Sequence, residues 1–400
     1  MPATQLNIVE QLAAIAGTEH VRSNEDSVSV FPADTQQVSE ILRYANENHL
    51  TVSPIGGGTK QSWGDPTKTD IHLELTRLNR VIAHPWQDLT CTAQAGCTWQ
   101  QLQQTLAKHG QFVALDPLWP ERATVGGILA TNDSGALRHR YGSLRDLVIG
   151  MTLVLADGTI ARSGGRVVKN VAGYDLCKLL TGSFGTLAII TEATFRLHSL
   201  PQHTQTFTVS APQAARFAPL MASIRASQLL TQALELRGDS NGFHLDIQLN
   251  AHAKARQDEI LQKMTQSAGF QLEPAPSDVW LARENLFASK DAFIAKFGVL
   301  PTDVAQVADD VVRLGGDLVA QSLGIIYAAL PNIKRDYFPL GSLYACTDAG
   351  SMTVIQSPPN ALDQTTPPWS ADKPSPLMQA VKHQFDPKRT LNPGRFLGGI

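Results

Sequence analysis

Apolar positions recur with two different periods along this chain, and the switching between them outlines its first half. Val38, Ile41, Leu42 and Ala45 fall at helical spacing behind Asp34 and Thr35, either of which can cap the first turn. Leu50-Thr51-Val52-Ser53-Pro54-Ile55 then predicts a short strand, and Ile71-His72-Leu73-Glu74-Leu75 alternates like another. Thr98 predicts a helix start, with Gln101 in the capping-box position and Trp99, Leu102 and Leu106 facing inward. Near the N-terminus, Leu6, Val9, Leu12, Ala13 and Ile15 suit a short amphipathic helix.

The pattern becomes strand-rich from 147 to 161 and from 187 to 197, and Ala156-Asp157-Gly158-Thr159 reads as a hairpin turn. Beyond Pro201 the order is strand, helix, strand, strand, helix and further segments. Leu234-Glu235-Leu236 and Phe243-His244-Leu245-Asp246-Ile247 are candidate strands there, and 304–314 is a candidate helix. That order predicts an antiparallel sheet with helices on one face. Residues 360–373, rich in Pro, Thr and Asp, read as a linker, and 374–384 as a last helix before Phe385-Asp386-Pro387.

Length and charge narrow the functional classes. At 400 residues the chain exceeds one comfortable core, so two or three domains are expected. A net charge of −3 without any basic cluster argues against nucleic-acid binding. The first residues lack the basic region of a signal peptide, and the longest apolar run, 147–156, is too short to span a bilayer. A cytoplasmic location is therefore expected, with any membrane association made through partners. Cys91, Cys97, Cys177 and Cys346 form no C-x-x-C pair, so they read as buried thiols, with no iron–sulfur or zinc site in this chain.

Candidate chemistry lies in three glycine-bearing blocks. They are Pro54-Ile55-Gly56-Gly57-Gly58-Thr59, Ala123-Thr124-Val125-Gly126-Gly127, and a third running from Gly164 through Lys169-Asn170-Val171-Ala172-Gly173-Tyr174-Asp175-Leu176 to Gly182-Ser183-Phe184-Gly185. Glycines let backbone approach a bulky ligand and aim N–H groups at it. The first block is neither a P-loop, lacking Gly-Lys-Ser/Thr, nor a dinucleotide-binding G-x-G-x-x-G, because no helical pattern follows. Three ordered blocks imply a large anionic ligand in an extended cleft.

These blocks, spanning 27–200, resemble the FAD-binding PCMH-type (vanillyl-alcohol oxidase/p-cresol methylhydroxylase) superfamily. Phe385-Asp386-Pro387 and Leu391-Asn392-Pro393-Gly394 resemble the tail of its 2-hydroxy-acid dehydrogenase branch, and 169–176 resembles the FAD-binding E subunit of bacterial glycolate oxidase. The resemblance implies an α+β fold in three parts: a two-subdomain FAD-binding domain over 1–202, a smaller α+β cap domain over 203–358, and a linker and C-terminal segment over 359–400 that returns to the FAD domain. It implies that Gly56, Gly57, Gly58 and Thr59 hold the FAD pyrophosphate. Pro117, Thr124, Gly126, Gly127, Thr131, Asn132 and Gly135 would line a second wall, Gly182, Gly185 and Ile189 a third, and Asn392 would return from the C-terminus. Tyr174 and Asp175 read equally as packed core or ligand contact. Thr59-Lys60-Gln61 occupies the loop where relatives often carry an attaching histidine, so the resemblance implies non-covalent FAD.

No catalytic residue emerges. Catalytic relatives carry a histidine-rich metal motif in the middle domain, whereas this chain has only His203, His244 and His252 there, without that motif. Arg138-His139-Arg140-Tyr141 is the one other polar cluster, and it reads as a solvated loop or as a flavin-edge or partner-facing one. The function implied is an FAD-binding subunit of a glycolate dehydrogenase complex oxidising glycolate to glyoxylate. Its partners would be a catalytic flavoprotein subunit and an iron–sulfur subunit, and the complex could sit peripherally at the inner membrane. The alternatives are a self-sufficient FAD-dependent 2-hydroxy-acid dehydrogenase, and a structural subunit with a vestigial flavin pocket.

Overall fold

A computed structural model describes residues 3–165, 175–250, 254–330, 350–358, 369 and 375–400. The centre of the third glycine block, with Tyr174, thus lies outside the described residues, as do His252, Cys346 and most of the 360–373 linker. The chain forms two compact units. One comprises Met1–Ser134, Ser143–Leu200 and Ala371–Ile400; the other comprises Gly135–Gly142 and Pro201–Ser370.

The first unit begins with a four-stranded sheet in the order Val21–Ser23, Val28–Val30, Ile71–Glu74, Val52–Ile55. Its last three strands are parallel, so the chain must cross over between Val28–Val30 and Val52–Ile55. Helix Thr35–Glu47 makes that crossover. The Asp34 carboxylate accepts the Gln37 N–H, and Val38, Ile41, Leu42 and Ala45 pack with Val28, Val30, Ile71 and Leu73 in one core. Ile41 and Leu42 are fully buried, each contributing about 1.5–3 kcal/mol, so Ile41→Asp would break this layer.

A second, antiparallel sheet of the same unit runs Val81–Ala83, Thr90–Gln94, Ile189–Arg196, Val148–Val154, Ile160–Gly164. Its last two strands are joined at the expected turn, where Gly158 takes a φ of 86° and Asp157 accepts the Thr159 N–H. Helix Trp99–Ala107 packs Trp99, Leu102 and Leu106 into the core of this sheet, with the Trp99 ring edge-on to Phe195.

Two local expectations are corrected. Thr98 caps its helix by accepting from the Gln101 N–H, but the Gln101 side chain donates to the Asn79 carbonyl, so the capping box is not closed. At the N-terminus the expected helix forms as Ala3–Ala16 and packs Leu12, Val9 and Ile15 against the core together with Ile8 and Ala16, but it leaves Leu6 half exposed.

The second unit is an eight-stranded antiparallel sheet in the order Glu273–Pro274, Thr204–Ala211, Gly242–Asn250, Thr231–Asp239, Asp317–Gln321, Ile325–Leu330, Phe293–Gly298, Ser351–Gln356. Alternate strand residues such as Leu234, Leu236, Leu245 and Ile247 form one core with helices Ala218–Ala226, Lys254–Ser267 and Val304–Arg313. A short helix, Ala282–Asn285, serves the opposite face, where the Arg283 guanidinium lies over the Tyr327 ring. The segment 135–142 belongs to this unit, although in sequence it interrupts the first.

Candidate functional site

Strand Val52–Ile55 delivers the chain into a cleft of the first unit, of about 740 Å³ counting the part open to solvent. The turn at Gly56-Gly57-Gly58 passes so close to the opposite wall that side chains are excluded. A Cβ at Gly56 would come 2.1 Å from Thr124 Oγ1, and one at Gly57 would come 1.8 Å from the Arg122 carbonyl oxygen. Gly58 takes φ +67°, and a Cβ there would meet nothing within 4 Å.

The second block packs equally tightly. Gly126 opens helix Val125–Thr131 with its N–H on the Ala95 carbonyl, and a Cβ there would press to 2.9 Å from that of Ala95. The third block is tied to this helix, because Gly182 and Phe184 donate to the Leu129 and Ala130 carbonyls. Gly185, at φ +68°, leaves room for Pro54, whose ring a Cβ would meet at 2.7 Å. The three blocks therefore form one lining.

A fourth wall comes from the C-terminus. Val52 and Asn392 exchange backbone bonds with this tail, Val52 N–H to the Thr390 carbonyl and Asn392 N–H to the Val52 carbonyl. The tail is held by Lys382, buried at the end of helix Pro376–Phe385, which donates to Asp386 and to the Thr186 and Leu391 carbonyls. Asp386 in turn accepts the Thr390 and Leu391 N–H groups. The Asp386…Leu391-Asn392 spacing is thus a buried clip. Burial lowers the Lys382 pKa, with Asp386 opposing that shift.

Of the residues expected at a cofactor, Gly56, Gly57, Gly58, Thr59, Thr124, Gly126, Gly127, Thr131, Gly185, Ile189 and Asn392 line this cleft. Pro117, Asn132, Gly135 and Gly182 do not. Asn132 caps the helix in a left-handed conformation, Gly182 serves the backbone link to Leu129, and Gly135 belongs to the second unit. The structure adds residues that spacing did not single out, among them Lys60, Gln61, Phe184 and Arg395. Lys60 is 5% exposed and pairs at 3.2 Å with fully buried Asp133, beside the rings of Trp63 and Trp119.

The cleft fits a polar ligand that penetrates deeply. Thr124 Oγ1 and Asn392 Oδ1 are buried in its walls without a hydrogen-bond partner among the described residues, a cost of about 1–3 kcal/mol each unless a ligand meets them. The described lining holds no histidine, cysteine or tyrosine that could attach a flavin.

The Arg138–Tyr141 cluster lies on the second unit as a short helix. Tyr141 O–H donates to Gln232 at 2.6 Å, and His139 Nδ1 lies 3.0 Å from Ser322 Oγ. Burial, with Arg225 and Arg140 nearby, lowers the His139 pKa to about 4. It is a neutral packed group at pH 7. His244 is bonded to Ser210, His203 is exposed, and among the described residues no three His, Cys, Asp or Glu side chains converge to hold a metal. Cys91, Cys97 and Cys177 are buried, and burial pushes the Cys97 and Cys177 thiols up to about 11.

Residues 27–164 match the family model described as FAD binding domain. The chain is 30% identical over 328 residues to a mitochondrial D-lactate dehydrogenase [cytochrome] of Arabidopsis thaliana, covering 76% of this chain and 56% of that one. It is 33% identical over 219 residues to glycolate oxidase subunit GlcD of Bacillus subtilis, covering 54% and 46%. It thus spans about half the length of these curated relatives. Among solved structures, p-cresol methylhydroxylase with substrate bound superposes with a TM-score of 0.73 at 14% identity, covering 100% of this chain and 98% of that one. The fold is shared across both units.

Proposed function

Because residues 27–164 match the FAD binding domain, we propose that this chain belongs to the PCMH-type FAD-binding family, holds FAD non-covalently and serves the oxidation of a small 2-hydroxy acid. The observation that carries this is the cleft itself. Three glycine turns that exclude side chains converge with two unpartnered polar atoms, Thr124 Oγ1 and Asn392 Oδ1, on one lining. When bound, FAD would supply the acceptor for the two electrons of the alcohol carbon. The chain's part is to hold it: the 56–59 amides on the pyrophosphate, and Thr124 and Asn392 on polar edges of the cofactor.

More narrowly, the chain acts as the FAD-binding subunit of a glycolate dehydrogenase-type complex, beside a catalytic flavoprotein subunit and an iron–sulfur subunit. It works in the cytoplasm and reaches the inner membrane through those partners. The likeness to a glycolate oxidase subunit supports this reading. The likeness to D-lactate dehydrogenases favours a second, in which the chain reduces its own flavin with a 2-hydroxy acid.

Anaerobic stopped-flow measurements on the purified chain and on its native co-purified complex separate the two. The subunit reading expects the chain to be yellow, little bleached by glycolate, D-lactate or D-2-hydroxyglutarate alone, and active with glycolate only in the complex. Bleaching of the isolated chain at the full turnover rate would replace it with the second.

A further inference from the structure

Among the described residues the cleft lining carries two cations, Lys60 and Arg395, and their situations differ. Lys60 is neutralised by Asp133. Arg395 is 6% exposed, and no carboxylate lies within ion-pair distance of it among the described residues. Its guanidinium donates instead to neutral oxygens: Nη1 to Gln61 Oε1 at 3.0 Å, and Nη2 to the Lys60 and Gln61 carbonyls at 3.1 and 3.0 Å. Burial alone lowers its pKa. A buried guanidinium without a counter-ion is costly, and such a charge persists where a ligand supplies the anion. Its anchor points directly follow the Gly56–Thr59 turn, and both line the same cleft.

We infer that Arg395 is the counter-charge for the cofactor's pyrophosphate, placed by its fork onto the two residues after the glycine turn; the inference rests on the FAD reading above. With Lys60 already paired, the described lining carries one net positive charge, set against the two negative charges of the diphosphate. The remaining Arg395 N–H groups can then make the charge-assisted bonds that guanidinium forms with phosphate oxygens. The C-terminal clip built on Lys382 and Asp386 acquires a function, since it fixes the position of this one charge.

The test uses the whole chain stripped of flavin, with FAD and riboflavin as probes; both carry the same ring, but riboflavin lacks the phosphates. In Arg395→Met, FAD affinity should fall roughly 10- to 100-fold while riboflavin affinity changes less than about threefold. Flavin-free Arg395→Met should melt at or above the wild-type temperature, because an unpaired buried charge has gone. Arg395→Lys, which keeps the charge but not the fork, should retain FAD better than Arg395→Met, and it serves alone if the Met variant does not fold. Equal losses for FAD and riboflavin, or FAD binding unchanged in Arg395→Met, overturn the inference, as does an Arg395→Lys variant that binds FAD no better than Arg395→Met. Wild-type chain that takes up no FAD overturns the cofactor reading itself, a separate result.

Discussion

Replacing Gly57 by alanine adds one methyl group where the structure leaves no room. Its Cβ would lie 1.8 Å from the Arg122 carbonyl oxygen and 2.8 Å from the carbonyl carbon, whereas real Cβ atoms essentially never approach within 3.0 Å. The two segments must therefore part by at least about 1.2 Å. Arg122 cannot yield by a rotamer change, because the obstacle is backbone. Its turn is fixed by Arg122 and Ala123 N–H bonds to the Trp119 carbonyl and by the Trp99 N–H on Ala123. The glycine turn must move instead, carrying its amides away from the ligand. Overpacking of this kind costs about 1–3 kcal/mol, which on binding is a loss of about 5- to 150-fold in FAD affinity. Gly58→Ala is the control: its Cβ meets nothing within 4 Å, and its φ of +67° costs about 1–2 kcal/mol of folding stability without moving the wall. Fluorescence titration of both flavin-free variants with FAD measures the difference. A Gly57→Ala chain that binds FAD within twofold of wild type would refute the account of this turn.

Three further outcomes are expected. Lys382→Met or Asp386→Asn alone should destabilise the first unit by about 3–5 kcal/mol in urea unfolding, since each leaves a buried partner unmet, and a loss under 1 kcal/mol would contradict the clip. His139 is held neutral down to about pH 4, while an unfolded imidazole titrates near about 6.5. Between those values the unfolded chain binds the extra proton, so stability should fall as pH drops from 6.5 to 4 and that loss should be complete below; His139→Gln should flatten this slope, and an unchanged slope would exclude His139 as its source. Acid precipitation should release all flavin into the supernatant, because no histidine, cysteine or tyrosine stands among the described lining residues; flavin fluorescence retained on the denatured chain would contradict non-covalent binding.

Much of the first unit was legible because its determinants are local. Helix Thr35–Glu47 announces itself through Asp34 and the spacing of Val38, Ile41, Leu42 and Ala45, and the 156–159 turn through Asp157-Gly158. The glycine blocks were legible because residues without a Cβ are demanded wherever two backbones meet, as at Gly57 and Arg122. What escaped was set by distant partners. Gln101 abandons its capping box for a carbonyl 22 positions away, and Leu6 is left half exposed while Ile8, Val9, Leu12, Ile15 and Ala16 of its helix meet the core. The Lys60–Asp133 pair and the Arg395 fork join residues 73 and 334 or more positions apart, so no window of sequence contains them. The departure of 135–142 to the second unit was equally unreadable, because Tyr141 finds its partner in Gln232. A catalytic base was not found by spacing, and the described residues supply no metal cluster that would name one.

The cleft of the first unit as the seat of FAD is the claim on which the rest depends, and binding stoichiometry tests it most directly. Calorimetric titration of the flavin-free, folded 400-residue chain with FAD should give one FAD per chain, with the cofactor recoverable intact on denaturation. A folded chain that binds no FAD would contradict the account.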